Sequence, residues 1–304
     1  MARSGDAESR VTDDRLFCFG LGYSARVLAE RARARGWTVA GTARTPAAVA
    51  DLRAAGIAGF LFDRDRPLDD APAALGGATH ILSSVPPDDR GDTVLDHHGR
   101  DIAALGGSLR WLGYLSTTGV YGDRDGGWVD EDSALAPTGE RGRRRVAAEG
   151  AWQALAKAHG LPLHIFRLAG IYGPGRNALA SVRAGTAKRI DKPGQVFSRI
   201  HVADIAAVLE ASMARPDSGR IYNVCDDDPA PPAEVVAYAC GLLGRPPPPL
   251  VPFAEADLSE MGRSFYRDNK RVRNRRLTDE LGVRLAYPDY RSGLTALLAT
   301  EDGR

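Results

Sequence analysis

The feature that most constrains this chain is a glycine turn set between an apolar strand and an amphipathic helix. Leu16-Phe17-Cys18-Phe19 reads as a buried strand and runs into Gly20-Leu21-Gly22-Tyr23-Ser24-Ala25. Across 24–35 Val27, Leu28 and the alanines share one face and arginines the other, until Gly36 ends the helix. In GxGxxA the first glycine permits the tight turn, the second lets backbone approach a pyrophosphate, and a small third residue allows close helix–sheet packing. The helix N-terminus then presents N–H groups and a positive dipole to the phosphates. Gly20, Gly22, Tyr23, Ser24 and Ala25 are therefore expected to bind a dinucleotide.

Alternation of strand and helix continues. Strands are expected over 37–44, 57–62, 79–85, 111–117 and 162–170. Helices are expected over 47–55, with Pro46 at a permitted early position, and over about 139–158. A further helix (201–213) and strand (220–226) return to the sheet. This spacing predicts an α/β fold, a doubly wound parallel sheet of Rossmann type, with a smaller C-terminal substrate lobe. The dinucleotide domain covers 14–172, with 201–226 rejoining it, and the lobe comprises 173–200 and 227–300. Proline-rich breaks at 229–232 and 246–249 mark that lobe as irregular, while 264–277 reads as an arginine-bearing helix. Residues 1–13 read as disordered.

Cofactor choice turns on the end of the second strand. Arg44 stands there with no acid before Asp51, and its planar cation suits a 2′-phosphate. NADP(H) is therefore expected over NAD(H), the other reading being a solvated turn arginine. Asp63 is placed to meet the adenine amino group or to serve a turn, and Ser83 joins the expected cofactor contacts.

With those residues in hand, the chain resembles the extended, more narrowly the atypical, short-chain dehydrogenase/reductase family, also called NAD-dependent epimerase/dehydratase-like. The resemblance covers roughly 15–300. It rests on the glycine turn, on Leu115-Ser116-Thr117-Thr118-Gly119-Val120-Tyr121-Gly122, on 167–177 (RLAGIYGPGRN) and on 199–206 (RIHVADIA). It implies a Tyr four residues before a Lys on the long helix, with a Ser/Thr steadying the substrate carbonyl. Here Arg141 and Arg145 stand at those two positions. No Lys precedes 157 and no Tyr lies between 121 and 172, so no shift of register restores the pair. A guanidinium stays protonated and cannot act as a general acid. Arg145 can still hold a ribose or phosphate, Arg141 can face the cleft as a cation, and Thr117 keeps the Ser/Thr function. Tyr172, Tyr121 and His201 are candidate proton sources, each with a plainer packing or capping reading.

Charge and composition exclude other classes. Lys+Arg 40 against Asp+Glu 39 gives no reason to expect nucleic acid or an anionic membrane as partner. The RGRRR run (141–145) reads as a cleft edge or solvated turn. Lys occurs at 157, 188, 192 and 270, all other basic residues being Arg. Three scattered cysteines make neither a disulfide framework nor a zinc site, His97-His98 lacks ligand spacing, and no metal is expected. No apolar run approaches the roughly 20 residues that span a bilayer, and the polar start lacks a signal sequence, so a cytoplasmic protein is expected. Two readings follow: an oxidoreductase or sugar-nucleotide-epimerase-like enzyme on a small molecule, an anionic one among the candidates, or a weakly active or inactive nucleotide-binding sensor. A homodimer through about 92–106 and 139–158, with Trp152 and alanines as its seam, is also expected.

Overall fold

A computed structural model describes residues 14–215 and 219–302. The expected disorder of 1–13 lies outside the described residues. In chain order the first half runs β1 (Arg15–Phe19), α1 (Tyr23–Ala34), β2 (Thr38–Ala43), α2 (Pro46–Ala54), β3 (Ala58–Leu61), α3 (Ala71–Leu75), β4 (His80–Ser83), α4 (Thr93–Leu105), β5 (Trp111–Thr117), β6 (Trp128–Val129), α5 (Glu140–His159) and β7 (Leu163–Leu168). The second half runs β8 (Gly170–Tyr172), α6 (Ala178–Arg183), β9 (Arg189–Asp191), β10 (Arg199–His201), α7 (Val202–Met213), β11 (Arg220–Val224), α8 (Pro232–Leu242), β12 (Leu250–Pro252), α9 (Glu260–Phe265), β13 (Arg271–Val272), α10 (Arg275–Asp279) and α11 (Tyr290–Asp302).

Seven strands form one parallel sheet in the order β11-β7-β5-β4-β1-β2-β3. Side chains alternate across it, and both faces are covered. Leu16 and Cys18 pack with α1 and α7 residues such as Leu28 and Leu209. Phe17 and Phe19 pack on the other face with Ala74, Val94, Ile102 and Trp152 of α3, α4 and α5. That double burial explains why the strands read as continuous apolar runs. Strand order reverses between β1 and β4, and ligands of such sheets bind beyond the carboxyl ends of the strands at that point.

The second lobe has its own core, in which Leu179, Val235, Ala239, Tyr290 and Leu294 are buried. It is more regular than its prolines suggest, because Pro232 sits in the first turn of α8, where its missing N–H costs nothing. The single helix expected over 264–277 is not formed. α9 stops at Phe265, β13 pairs in parallel with β6, and α10 begins at Arg275. Backbone bonds from Arg271 N–H to Gly127 and from Arg273 N–H to Val129 hold the middle of that segment extended.

Candidate active site

The glycine turn is fixed from both sides. Gly20 has φ +81°, a conformation that favours glycine. Its N–H donates to Thr42 Oγ1 at 2.8 Å, and its carbonyl accepts from the Ser84 hydroxyl. Leu21 N–H donates to the Thr42 carbonyl at 2.9 Å. Gly41 on β2 completes the fit, since a Cβ there would lie 2.6 Å from the Cys18 carbonyl. Gly22 caps α1 without any side-chain hydrogen bond, and a Cβ on it would meet nothing within 4 Å. The first-turn N–H groups of α1 thus receive no side-chain cap from Gly22, and an uncapped helix N-terminus of this kind suits a diphosphate. Ser24 and Ala25 are buried, Ala25 beneath α1 in the core. Tyr23 turns towards the second lobe: its hydroxyl donates to the Pro174 carbonyl at 3.0 Å, and the Arg176 guanidinium lies 5.7 Å from its ring.

The remaining expected cofactor contacts are spread along the same edge. Ser83, at the end of β4 beside Phe19, is fully buried, and its hydroxyl has no partner among the described residues. Asp63 serves a turn, accepting from Asp65 N–H at 3.0 Å and lying 3.9 Å from Arg66. Arg44 stands exposed just past β2, before Thr45, whose hydroxyl accepts from Ala48 N–H and starts α2.

The β5–α5 corner is built differently. Thr117 ends β5, and its Oγ1 accepts from Gly119 N–H at 3.1 Å. Gly142 lets α5 close on this turn, because a Cβ there would lie 2.8 Å from the Gly119 carbonyl. One turn further on, half-buried Arg145 donates to the Leu115 carbonyl and, at 3.2 Å, to the Tyr114 hydroxyl. Arg141 is exposed in the first turn of α5, its guanidinium 5.6 Å from the Phe265 ring of α9. Thr117 and Arg145 thus meet at one corner, and Arg141 reaches across to the second lobe. Tyr172 does not join them. Its ring enters the second lobe's core, where its hydroxyl faces Gly293 and donates to the Asp289 carbonyl at 3.4 Å. Burial, with Asp226 nearby, pushes its pKa up.

Beneath the corner lies a buried polar network that the sequence reading missed. Ser116 Oγ donates to Glu149 Oε1 at 2.5 Å, and Glu149 pairs with Arg167 at 2.8 Å, both charges out of solvent. Arg167 also donates to the Tyr121 hydroxyl at 2.9 Å, which donates onward to Asn223 Oδ1 at 2.7 Å. Tyr121 is committed there, and burial raises its pKa to about 12. His201 caps α7 by accepting from Ala203 N–H at 3.2 Å, and burial lowers its pKa to about 4, so it is neutral. Asp204 accepts from Ala286 and Tyr287 N–H and ties α7 to the chain before α11. The one available signal for this network was polar residues at inward positions of apolar strands, Ser116 and Arg167.

The fold and this site define a class, and direct comparison agrees. This chain belongs to the NAD-dependent epimerase/dehydratase family, whose model matches residues 102–225. Protein YeeZ of Escherichia coli K12 is 30% identical over 279 residues, covering 89% of this chain and 95% of YeeZ. A solved protein of unknown function from Silicibacter pomeroyi is 55% identical with a TM-score of 0.88, covering 94% of this chain and 99% of its own. MoeE5, solved with UDP-glucose and NAD, shares the fold at 19% identity and a TM-score of 0.74, covering 95% of this chain and 99% of MoeE5. Family and fold support an oxidoreductase or epimerase type of enzyme. The expectation of NADP(H) is corrected here: related structures solved with a cofactor hold NAD. An exposed arginine beside a helix start, as Arg44 is, does not by itself make a phosphate clamp. Among the described residues no helix is long and apolar enough to cross a membrane, and no His, Cys, Asp or Glu cluster could hold a metal ion.

Proposed function

We propose that this chain binds NAD at the Gly20–Ala25 turn and catalyses an oxidoreductase or epimerase-type reaction on a small molecule, with a nucleotide-linked sugar as the first candidate class. The observation that carries this reading is the open cradle at Gly22 beside the topological switch point. Bound NAD would supply a hydride acceptor. Gly20, Gly22 and the first turn of α1 would hold its diphosphate, and the unpartnered Ser83 hydroxyl offers a polar contact nearby. Thr117 accepts from Gly119, so its own proton remains to be donated to a substrate oxygen. Arg145 braces β5, and Arg141 offers a fixed cation at the cleft rim for a carboxylate or phosphate.

A second reading, an NAD-binding protein without turnover, is favoured by one fact: neither arginine can release a proton. Mixing the protein with NAD and UDP-glucose or UDP-glucuronic acid, while following NADH absorbance, separates the two. Transient or steady NADH formation supports the enzyme. Bound NAD with no NADH from either sugar sinks the nucleotide-sugar assignment and favours the second reading. A cytoplasmic homodimer through α4 and α5 would rest on the exposed Ala147, Ala151 and Ala154, because Trp152 is fully buried and bonded to Asp92.

A further inference from the structure

We propose that Arg199 anchors an acidic group of the substrate, a carboxylate or a phosphate, at the sheet edge that carries Thr117. The inference rests on the enzyme reading above and deepens it by naming the substrate class. Strand register places the residue. Thr117 at the end of β5 pairs with Leu168 at the end of β7, and Gly170, two residues further on, pairs with Arg199 of β10. Arg199 therefore stands at the carboxyl edge of the sheet, where ligands of such sheets bind. Gly170 keeps this spot open. It is exposed, and it lacks the Cβ that would lie 3.8 Å from Arg199 Cγ.

The guanidinium is fixed at one end and free at the other. Nη1 donates to the Phe197 carbonyl at 2.8 Å and to the Ala230 carbonyl at 3.1 Å. Those carbonyls belong to one bridge, in which Phe197 and Ala230 also exchange N–H bonds of 3.1 and 3.2 Å. Nε and Nη2 have no partner among the described residues, and neither atom is sealed from solvent. Together they form the edge through which an arginine grips a carboxylate or phosphate by two parallel hydrogen bonds.

No carboxylate of the described residues fills that edge. Asp226 accepts from the Arg199 backbone N–H at 3.4 Å, and no acid among the described residues lies within 4 Å of the guanidinium. Asp228 is taken by Arg291 at 2.8 Å. Burial raises the pKa of Asp226 to about 8, so near neutral pH it is protonated. In that form it neither cancels the Arg199 charge nor repels an incoming anion. A half-buried cation without a counter-charge is costly, and an acidic ligand on the free edge removes that cost.

Calorimetric titration of the NAD-loaded full chain with UDP, UDP-glucose and UDP-glucuronic acid, in the parent and in Arg199→Gln, tests this. The variant is expected to bind at least one of the three about tenfold more weakly or worse, the effect of losing a charge-assisted pair. A loss confined to UDP-glucuronic acid assigns the free edge to the sugar carboxylate. An equal loss for all three assigns it to the diphosphate. Affinities within about twofold of the parent for all three overturn the proposal. Melting temperature and NAD affinity of the variant are measured alongside. Where Arg199→Gln does not fold, Arg199→Lys, which keeps charge and stem but lacks the two-pronged edge, is read in the same way. A parent that holds NAD but binds none of the three removes the nucleotide-sugar reading, and oxalate and inorganic phosphate then probe the edge alone. Binding of either that is about tenfold weaker in the variant sustains the anchor. Equal binding in both proteins, or no binding of either anion by the parent, overturns it.

Discussion

The glycine turn after β1 and the β5–α5 corner lie on the same edge of one sheet, yet they are made of different material. The turn is built from backbone and small residues: a left-handed Gly20, an uncapped Gly22, and Gly41 allowing contact with Cys18. The corner is built from long polar side chains, with Arg145 on the Leu115 carbonyl and the Glu149–Arg167 pair buried below Ser116. A site made of backbone keeps its binding geometry as long as its glycines remain. A site made of side chains depends instead on their pairings, as Arg145 on the Leu115 carbonyl and Glu149 on Arg167 show.

The largest expected effect lies under the corner. Arg167→Leu leaves Glu149 charged and unpaired in the interior, and should cost about 3–5 kcal/mol in urea unfolding. A loss below about 1 kcal/mol would mean that the corner does not depend on this network. On the other side, Gly41→Ala places a Cβ 2.6 Å from the Cys18 carbonyl and should cost about 1–3 kcal/mol. Unchanged stability in that variant would break the account of a backbone-built turn.

Asp226, just past β11, gives a pH-dependent contrast. Burial, offset in part by Arg199, raises its pKa to about 8. Its protonated form therefore favours the fold, and that contribution is full below the ordinary carboxylate range and lost as pH rises through about 8. Asp226→Asn should gain stability over the parent as pH rises across this window, by about 1.4 kcal/mol per pH unit at the steepest. A difference that stays constant between acid and mildly alkaline pH would contradict it.

What the sequence made legible follows the same division. The sheet strands and the Gly20–Ala25 turn were readable because backbone geometry leaves local, periodic marks: apolar runs, a glycine pair, a small residue. The network joining Ser116, Glu149, Arg167, Tyr121 and Asn223 links residues far apart in the chain, and no local pattern encodes those pairings. Tyr172 sits at a strand end, but which way its ring turns was decided by Gly293 in α11. The segment 264–277 has helical composition, and pairing of β13 with β6 overrode it. Arg44 carried the right charge for a 2′-phosphate, yet one exposed cation is too little to choose a cofactor.

The most direct test of the central claim is calorimetric titration of NAD into the parent protein and into Gly22→Asp. A Cβ at position 22 meets open space, so the variant should fold and melt as the parent does. Its carboxylate would stand where the diphosphate belongs, and NAD affinity should fall by about tenfold or more, about 1.4 kcal/mol at the least. Binding in the parent that is lost in Gly22→Asp, with melting unchanged, is the predicted result. Equal NAD affinity in both proteins, or no NAD binding by the parent, would contradict the account.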